Sequence, residues 1–253
     1  LLILHIYRKK SARKFLQKIS LFQNQVKVFS SALDSLLKSI VTKEQEDEFA
    51  AKWQNLYSEI GRYRIPKKDV AFLEISKFKE TFRNLHKIIF QSNAEIKRKE
   101  EVKNLAQKIS DFFDELYKIT ENYVAHSAEL QFIKNWESLF LNANQEDVHN
   151  EDEEFSEVER FKTVFSSLND YLENANQQFI QNESVKHDGL FSNVDGKNLD
   201  FQQRTAVITD EDRILVLAGA GSGKTLTIAA KVKYLCEVKN INPNEILLVS
   251  FIK

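Results

Sequence analysis

The decisive stretch is Ile214-Leu215-Val216-Leu217-Ala218-Gly219-Ala220-Gly221-Ser222-Gly223-Lys224-Thr225. Four apolar residues in a row are the mark of a buried parallel strand, covered on both faces. Gly219, Gly221 and Gly223 then let backbone N–H groups turn inward and approach phosphate oxygens closely. A helical pattern runs from Lys224 to about Val238, so the loop opens onto a helix N-terminus and its positive dipole end. Lys224 is placed to put a cation on the β- and γ-phosphates, and Thr225 to offer its hydroxyl to Mg2+. Strand, glycine loop and helix in that order form a P-loop, also called a Walker A motif. Ala218 stands where a first glycine is usual, a position that accepts alanine if its backbone is not left-handed.

Outward from this loop the pattern stays that of an α/β domain. Residues 240–245 are a loop and residues 246–251 a second apolar strand, giving a β-loop-α-β opening. Upstream, Asn193-Val194-Asp195-Gly196-Lys197-Asn198 is turn-rich, Asp200 can cap a short helix through Val207, and residues 209–213 form a polar loop.

Before about residue 187 the chain reads as helical throughout. Only 6 Gly and 2 Pro occur in 253 residues, which disfavours a turn-rich β fold. Phe15, Ile19, Phe22, Val26, Phe29, Leu33, Leu36 and Ile40 form a heptad-like stripe, so one helix is expected from near Ser11 to Val41. Thr42-Lys43-Glu44-Gln45 has the form of a capping box. It opens a second helix with Phe49, Trp53, Leu56 and Ile60 on its buried face, and Pro66 either ends that helix or opens the next one. A third stripe is Ile75, Phe78, Phe82, Leu85 and Ile89. A fourth runs from Val102 to Tyr123, with a continuation toward Phe140 left open. The fifth is Val158, Phe161, Phe165, Leu168, Leu172, Ala175 and Phe179, ended by His187-Asp188-Gly189. Narrow stripes of this kind suit long antiparallel helices, with coiled-coil-like packing.

Charge is unevenly spread although the net value is -1. Residues 1–41 carry Arg8, Lys9, Lys10, Arg13, Lys14, Lys18, Lys27 and Lys38 against one acid, Asp34. Residues 146–159 hold acids and no Lys or Arg, which reads as a solvated linker entering the acidic start of a helix. The five histidines are scattered and form no metal constellation. The single cysteine, Cys236, excludes an internal disulfide framework and fits a reducing, cytoplasmic compartment. Leu1-Leu2-Ile3-Leu4-His5-Ile6-Tyr7 before Arg8-Lys9-Lys10 has two readings. It is either the tail of a membrane span, placing the protein on the cytoplasmic face of the inner membrane, or the first turns of a soluble helix. The lack of methionine, with an ending inside a motif, suggests a piece of a longer chain.

Two flanks of the P-loop carry a family resemblance. Leu199-Asp200-Phe201-Gln202-Gln203-Arg204-Thr205-Ala206-Val207 resembles the Q motif of UvrD/Rep-type superfamily 1 DNA helicases. Residues 214–225 resemble that family's motif I, and Asn242-Pro243-Asn244-Glu245-Ile246-Leu247-Leu248-Val249-Ser250-Phe251 is similar to the approach to motif Ia. Ile252 and Lys253 depart from the family's usual Thr-Asn, and Asp200 stands for its usual Asn. The resemblance covers about 60 of the 253 residues and is strongest toward the helicase IV branch, which also places a helical extension before the Q motif.

The resemblance implies a RecA-like ATP-binding domain beginning near residue 188, after a helical region of residues 1–187. It implies that Gln203 reads adenine while Gln202 faces solvent. Gly219, Ala220, Gly221, Ser222, Gly223, Lys224, Thr225 and Leu226 would hold ATP, Thr225 would also ligate Mg2+, and Phe251 would contact DNA. The implied activity is ATP-driven movement on single-stranded DNA and unwinding at duplex junctions, in the 3′ to 5′ direction. Residues 226–253 supply neither a positioned water nor opposing cations, so residues 1–253 by themselves are expected to be inactive as an ATPase. Other readings stay open. One is a helicase-like ATPase remodelling RNA polymerase through its N-terminal helices. Another is a chromosome-structuring or transporter ATPase. In a third, the helices are a protein-interaction module without chemistry.

Overall fold

The computed structural model describes residues 2–67, 69, 71–219 and 221–249, with residues 2–11 described as backbone only. Ala220, Phe251 and the side chains of residues 1–7 therefore lie outside the described residues. The chain divides into two compact units, Leu1–Glu101 and Val102–Lys253.

The first unit contains α1 (Leu2–Leu36), α2 (Lys43–Gly61), α3 (Ala71–Arg83) and the first part of α4 (Leu85–Thr120). Its core forms where the sequence stripes meet. Phe29, buried on α1, packs edge-on to Trp53 at 5.4 Å and to Phe78 at 4.8 Å between ring centroids. Phe49 and Phe82 close the same cluster, and Tyr57 stacks on Phe82. Each large side chain removed from water contributes roughly 1.5–3 kcal/mol, so this aromatic knot is a substantial part of the unit's core. The expected capping box is present: Gln45 N–H donates to Thr42 Oγ1 at 3.3 Å and Thr42 N–H to Gln45 Oε1 at 2.9 Å. Asn93 of α4 clamps the turn before it, accepting from Val41 N–H and donating to Val41 C=O, both at 2.8 Å.

The second unit contains the remainder of α4, then α5 (His126–Gln145), α6 (Phe155–Ser166), α7 (Leu168–Lys186), α8 (Asp188–Phe191), α9 (Phe201–Ile208) and α10 (Lys224–Glu237). Phe112 is the hub of its first core, with Phe132, Trp136, Phe161 and Phe165 around it. Phe179 and Ile180, further along α7, pack against a separate core of Phe191, Val194, Leu199, Val207, Ile208, Ala230 and Tyr234. One helix thus serves two cores. Tyr234 is fully buried, and its hydroxyl donates to Glu183 of α7 at 2.8 Å.

Several boundaries differ from the sequence reading. The first helix ends at Leu36 rather than Val41. Leu85 and Ile89 belong to α4, because the chain turns at Asn84. The stripe ending at Tyr123 stops with its helix at Thr120, and Phe140 lies on the separate α5. The fifth stripe is broken between α6 and α7, since Ser167 departs from helical angles (φ -118, ψ 29). Hydrophobic period continues across such corners because both flanking helices face the same core.

The larger difference concerns strands. Among the described residues no strand is present, only an isolated bridge between Val194 and Lys197. Residues 214–217 are not paired, and Leu215 and Leu217 are 83% and 87% exposed. Leu247, Leu248 and Val249 are exposed in the same way. A parallel strand takes its hydrogen bonds from flanking strands and its burial from helices on both faces. The described residues give these two runs neither, so the apolar pattern is there without the sheet. The RecA-like part of the expected fold is therefore not seen, whereas the helical region is.

Candidate nucleotide site

Two helix N-termini define the site. Asp200 caps α9 by a full capping box: Gln203 N–H donates to Asp200 Oδ1 at 2.8 Å, and Asp200 N–H donates to Gln203 Oε1 at 3.0 Å. This is the Asp200 cap expected from sequence, with Gln203 as its reciprocal partner. The other end of the Gln203 carboxamide reaches the glycine loop, where Nε2 donates to Ser222 C=O at 3.0 Å. One side chain thus fixes the first turn of α9 and the loop that opens α10.

The loop requires glycine at two described positions. Gly221 and Gly223 have φ of 78 and 84, in the left-handed region that disfavours side chains. Gly219 does not have positive φ. At Gly223 there is a second constraint, because an added Cβ would lie 2.7 Å from Gln203 Nε2. Gly223 is also the N-cap of α10, so Lys224 and Thr225 occupy the helix's first turn. Backbone N–H groups there have no helical acceptor and suit an anion.

Lys224 Nζ donates to Ala218 C=O at 3.0 Å and to Gly219 C=O at 2.7 Å, folding back over the loop. Lys224 and Thr225 are exposed. Leu226 instead packs against the apolar core formed by α7, α9 and α10. Beside the loop lies a cavity of about 470 Å³, lined among others by Gln203, Ala206, Val216, Ser222, Lys224 and Ile228. Gln202, expected to face solvent, is exposed but sits on the rim of this cavity.

The sequence reading missed Lys231. It lies two turns into α10, and its Nζ donates to Val207 C=O at 2.9 Å and Thr209 C=O at 2.7 Å, in the last turn and at the C-cap of α9. Burial pulls its ammonium below the ordinary lysine range, with Asp210 partly opposing that shift. A cation at a helix C-terminus satisfies orphan carbonyls and the dipole together. No local motif announces such a clasp, because its acceptors lie more than 20 residues away in the chain.

Residues 199–253 match the model of the UvrD/REP helicase N-terminal domain. The chain is 42% identical over 55 residues to the ATP-dependent DNA helicase PcrA of Staphylococcus epidermidis, covering 22% of this chain and 8% of that protein. DNA helicase II of Escherichia coli is 43% identical over 54 residues, 21% of this chain and 8% of that protein. DNA helicase IV of Escherichia coli is 36% identical over 76 residues, 30% of this chain and 11% of that protein. The chain spans about a tenth or less of the length of these relatives. No solved structure matches it significantly. No described helix is long and apolar enough to cross a membrane, and the described residues hold no cluster suited to a metal ion.

Proposed function

We propose that this chain is part of a cytoplasmic superfamily 1 DNA helicase, which couples ATP hydrolysis to 3′ to 5′ movement on single-stranded DNA and duplex unwinding. The reading rests on one observation above all. Within the UvrD/REP-matching segment, a capped helix carrying Gln203 is hydrogen-bonded to a glycine loop whose next residues are Lys224 and Thr225. The nucleotide-binding domain begins near residue 188 in this reading, and residues 1–187 are an accessory helical region.

The residues present fit a nucleoside triphosphate. The loop glycines leave the backbone open to phosphate oxygens, with Ala220 completing the loop. Lys224 exchanges its two carbonyl partners for the β- and γ-phosphates, a gain because a charged pair replaces neutral acceptors. Thr225 at the helix start offers a hydroxyl to Mg2+. When bound, Mg2+ would neutralise phosphate charge during transfer. The α10 N-terminus, with the Leu226 N–H, adds its dipole. Gln203 borders the cavity beside the loop and is placed to meet an adenine edge. Phe251, at the end of the second apolar run, is assigned to a base or sugar of single-stranded DNA.

Strand displacement by the full-length protein tests this. With ATP and Mg2+ the wild type should unwind a tailed duplex. Lys224→Ala should reduce unwinding at least ~100-fold, since the γ-phosphate loses its cation, while circular dichroism stays unchanged. Unwinding by Lys224→Ala at the wild-type rate would refute the assignment.

A further inference from the structure

We infer that the helical part of this chain is a tandem duplication, and that its second copy has exchanged its own helix cap for one supplied by the loop leading to the glycine loop. The two copies align without a gap, residues 15–93 onto residues 98–176, each position 83 residues from its counterpart. Phe29, Phe49, Trp53, Phe78 and Phe82 of the first fall on Phe112, Phe132, Trp136, Phe161 and Phe165 of the second.

Ring geometry follows the same register. Phe29 meets Trp53 at 5.4 Å and 84°, and Phe112 meets Trp136 at 5.6 Å and 83°. Phe29 lies 4.8 Å from Phe78, and Phe112 lies 4.9 Å from Phe161. Tyr57 stacks on Phe82 at 4.9 Å, as Phe140 stacks on Phe165 at 4.7 Å. The polar clamp is repeated too. Asn176 accepts from Val124 N–H at 2.7 Å and donates to Val124 C=O at 2.9 Å, as Asn93 does for Val41. Amphipathic period alone makes stripes recur. It does not make the same ring types, both tryptophans and an asparagine clamp recur at one constant offset.

Aligned in this way, the copies report where the second has departed from the first. Thr42 and Gln45, which form the capping box of α2, correspond to Ala125 and Ala128. Ala125 makes no side-chain cap on α5. The vacated amides are taken instead by residues 211 and 212: His126 N–H donates to Glu211 Oε2 at 3.0 Å and Ser127 N–H to Asp212 Oδ2 at 3.3 Å. Ile40 of the first copy corresponds to Tyr123, whose hydroxyl donates to Glu211 Oε1 at 2.9 Å. Three departures therefore converge on one contact. Carboxylates at a helix N-terminus are favoured by both hydrogen bonding and the dipole. Residues 210–213 join α9, which carries Gln203, to the run entering the glycine loop. The second copy therefore holds one end of the candidate nucleotide site's frame, and the contact is a docking surface built into the chain.

Amide hydrogen exchange on the full-length protein tests this. Glu211→Ala with Asp212→Ala, which removes both acceptors, should speed exchange at His126 and Ser127 at least ~5-fold, a loss of local protection confined to the first turn of α5. Adding Ala125→Thr and Ala128→Gln, the residues dictated by the 83-residue register, should restore protection at that turn. Thr placed at 124 instead should not. Unchanged exchange in the Glu211/Asp212 variant would overturn the docking. Failure of the transplanted box to restore protection would overturn the correspondence between the copies.

Discussion

Gln203 Nε2 donates to the Ser222 carbonyl at 3.0 Å in space that exists because residue 223 has no Cβ; one placed there would stand 2.7 Å from Nε2. The Q-type helix and the glycine loop are therefore shaped around each other.

Gly223→Ala should damage the site twice. It forces a side chain into φ 84 and displaces Gln203 from Ser222. The left-handed conformation costs roughly 1–2 kcal/mol, so ATP affinity measured by calorimetry should fall at least ~10-fold. Affinity within twofold of wild type would show that neither constraint operates.

Much of this arrangement was legible in the residues and some was not. The capping box at Thr42 and the cap at Asp200 were readable because their signals lie within four residues. The helical stripes were readable because period does not depend on partners. Corners at Asn84 and Ser167 were not, since one core faces both flanking helices and the stripe runs on. Residues 214–217 and 246–249 read as strands because apolar runs report a demand for burial, and the described structure leaves that demand unmet. Lys231 and the Glu211–His126 contact join elements far apart in sequence, beyond the reach of any local pattern. The family resemblance assigns Gln203 to adenine, while its bond to Ser222 joins residues 19 apart in sequence and has no local signal.

Trp53 offers a stability test that follows from the duplication. Its Nε1 is buried without a hydrogen-bond partner among the described residues, whereas Trp136 Nε1 donates to Glu115 at 3.2 Å. Ala32 stands at the position corresponding to Glu115. Ala32→Glu should give Trp53 the missing acceptor and raise stability by about 1 kcal/mol, read as a higher urea midpoint. A lower midpoint would show that the two cores are not equivalent there.

Alkaline pH should loosen the contact at Tyr123. Burial, helped by the bond to Glu211, pushes its phenol up to about 12 from an ordinary value of 10.0. The folded state keeps the proton longer than the unfolded chain, so the stabilisation is complete below pH 10 and is lost as pH rises toward 12. Tyr123→Phe should flatten that part of the stability profile. An identical profile for wild type and variant between those pH values would exclude a role for this hydroxyl.

The most direct measurement is the ratio of ATP to GTP affinity in the full-length protein. Gln203 Oε1 accepts from Asp200 N–H and Nε2 donates to Ser222 C=O, which leaves the carboxamide one lone pair and one N–H. Adenine presents a donor at N6 beside an acceptor at N7 and matches that remainder. Guanine presents two acceptors, O6 and N7, and does not. An unpaired polar group costs about 1–3 kcal/mol, so ATP should bind on the order of 5- to 150-fold more tightly than GTP. Gln203→Ala should collapse that ratio toward one, even though losing the capping box also lowers overall stability, and Gln202→Ala should preserve it. Equal affinities in the wild type, or a ratio untouched by Gln203→Ala, would contradict the account.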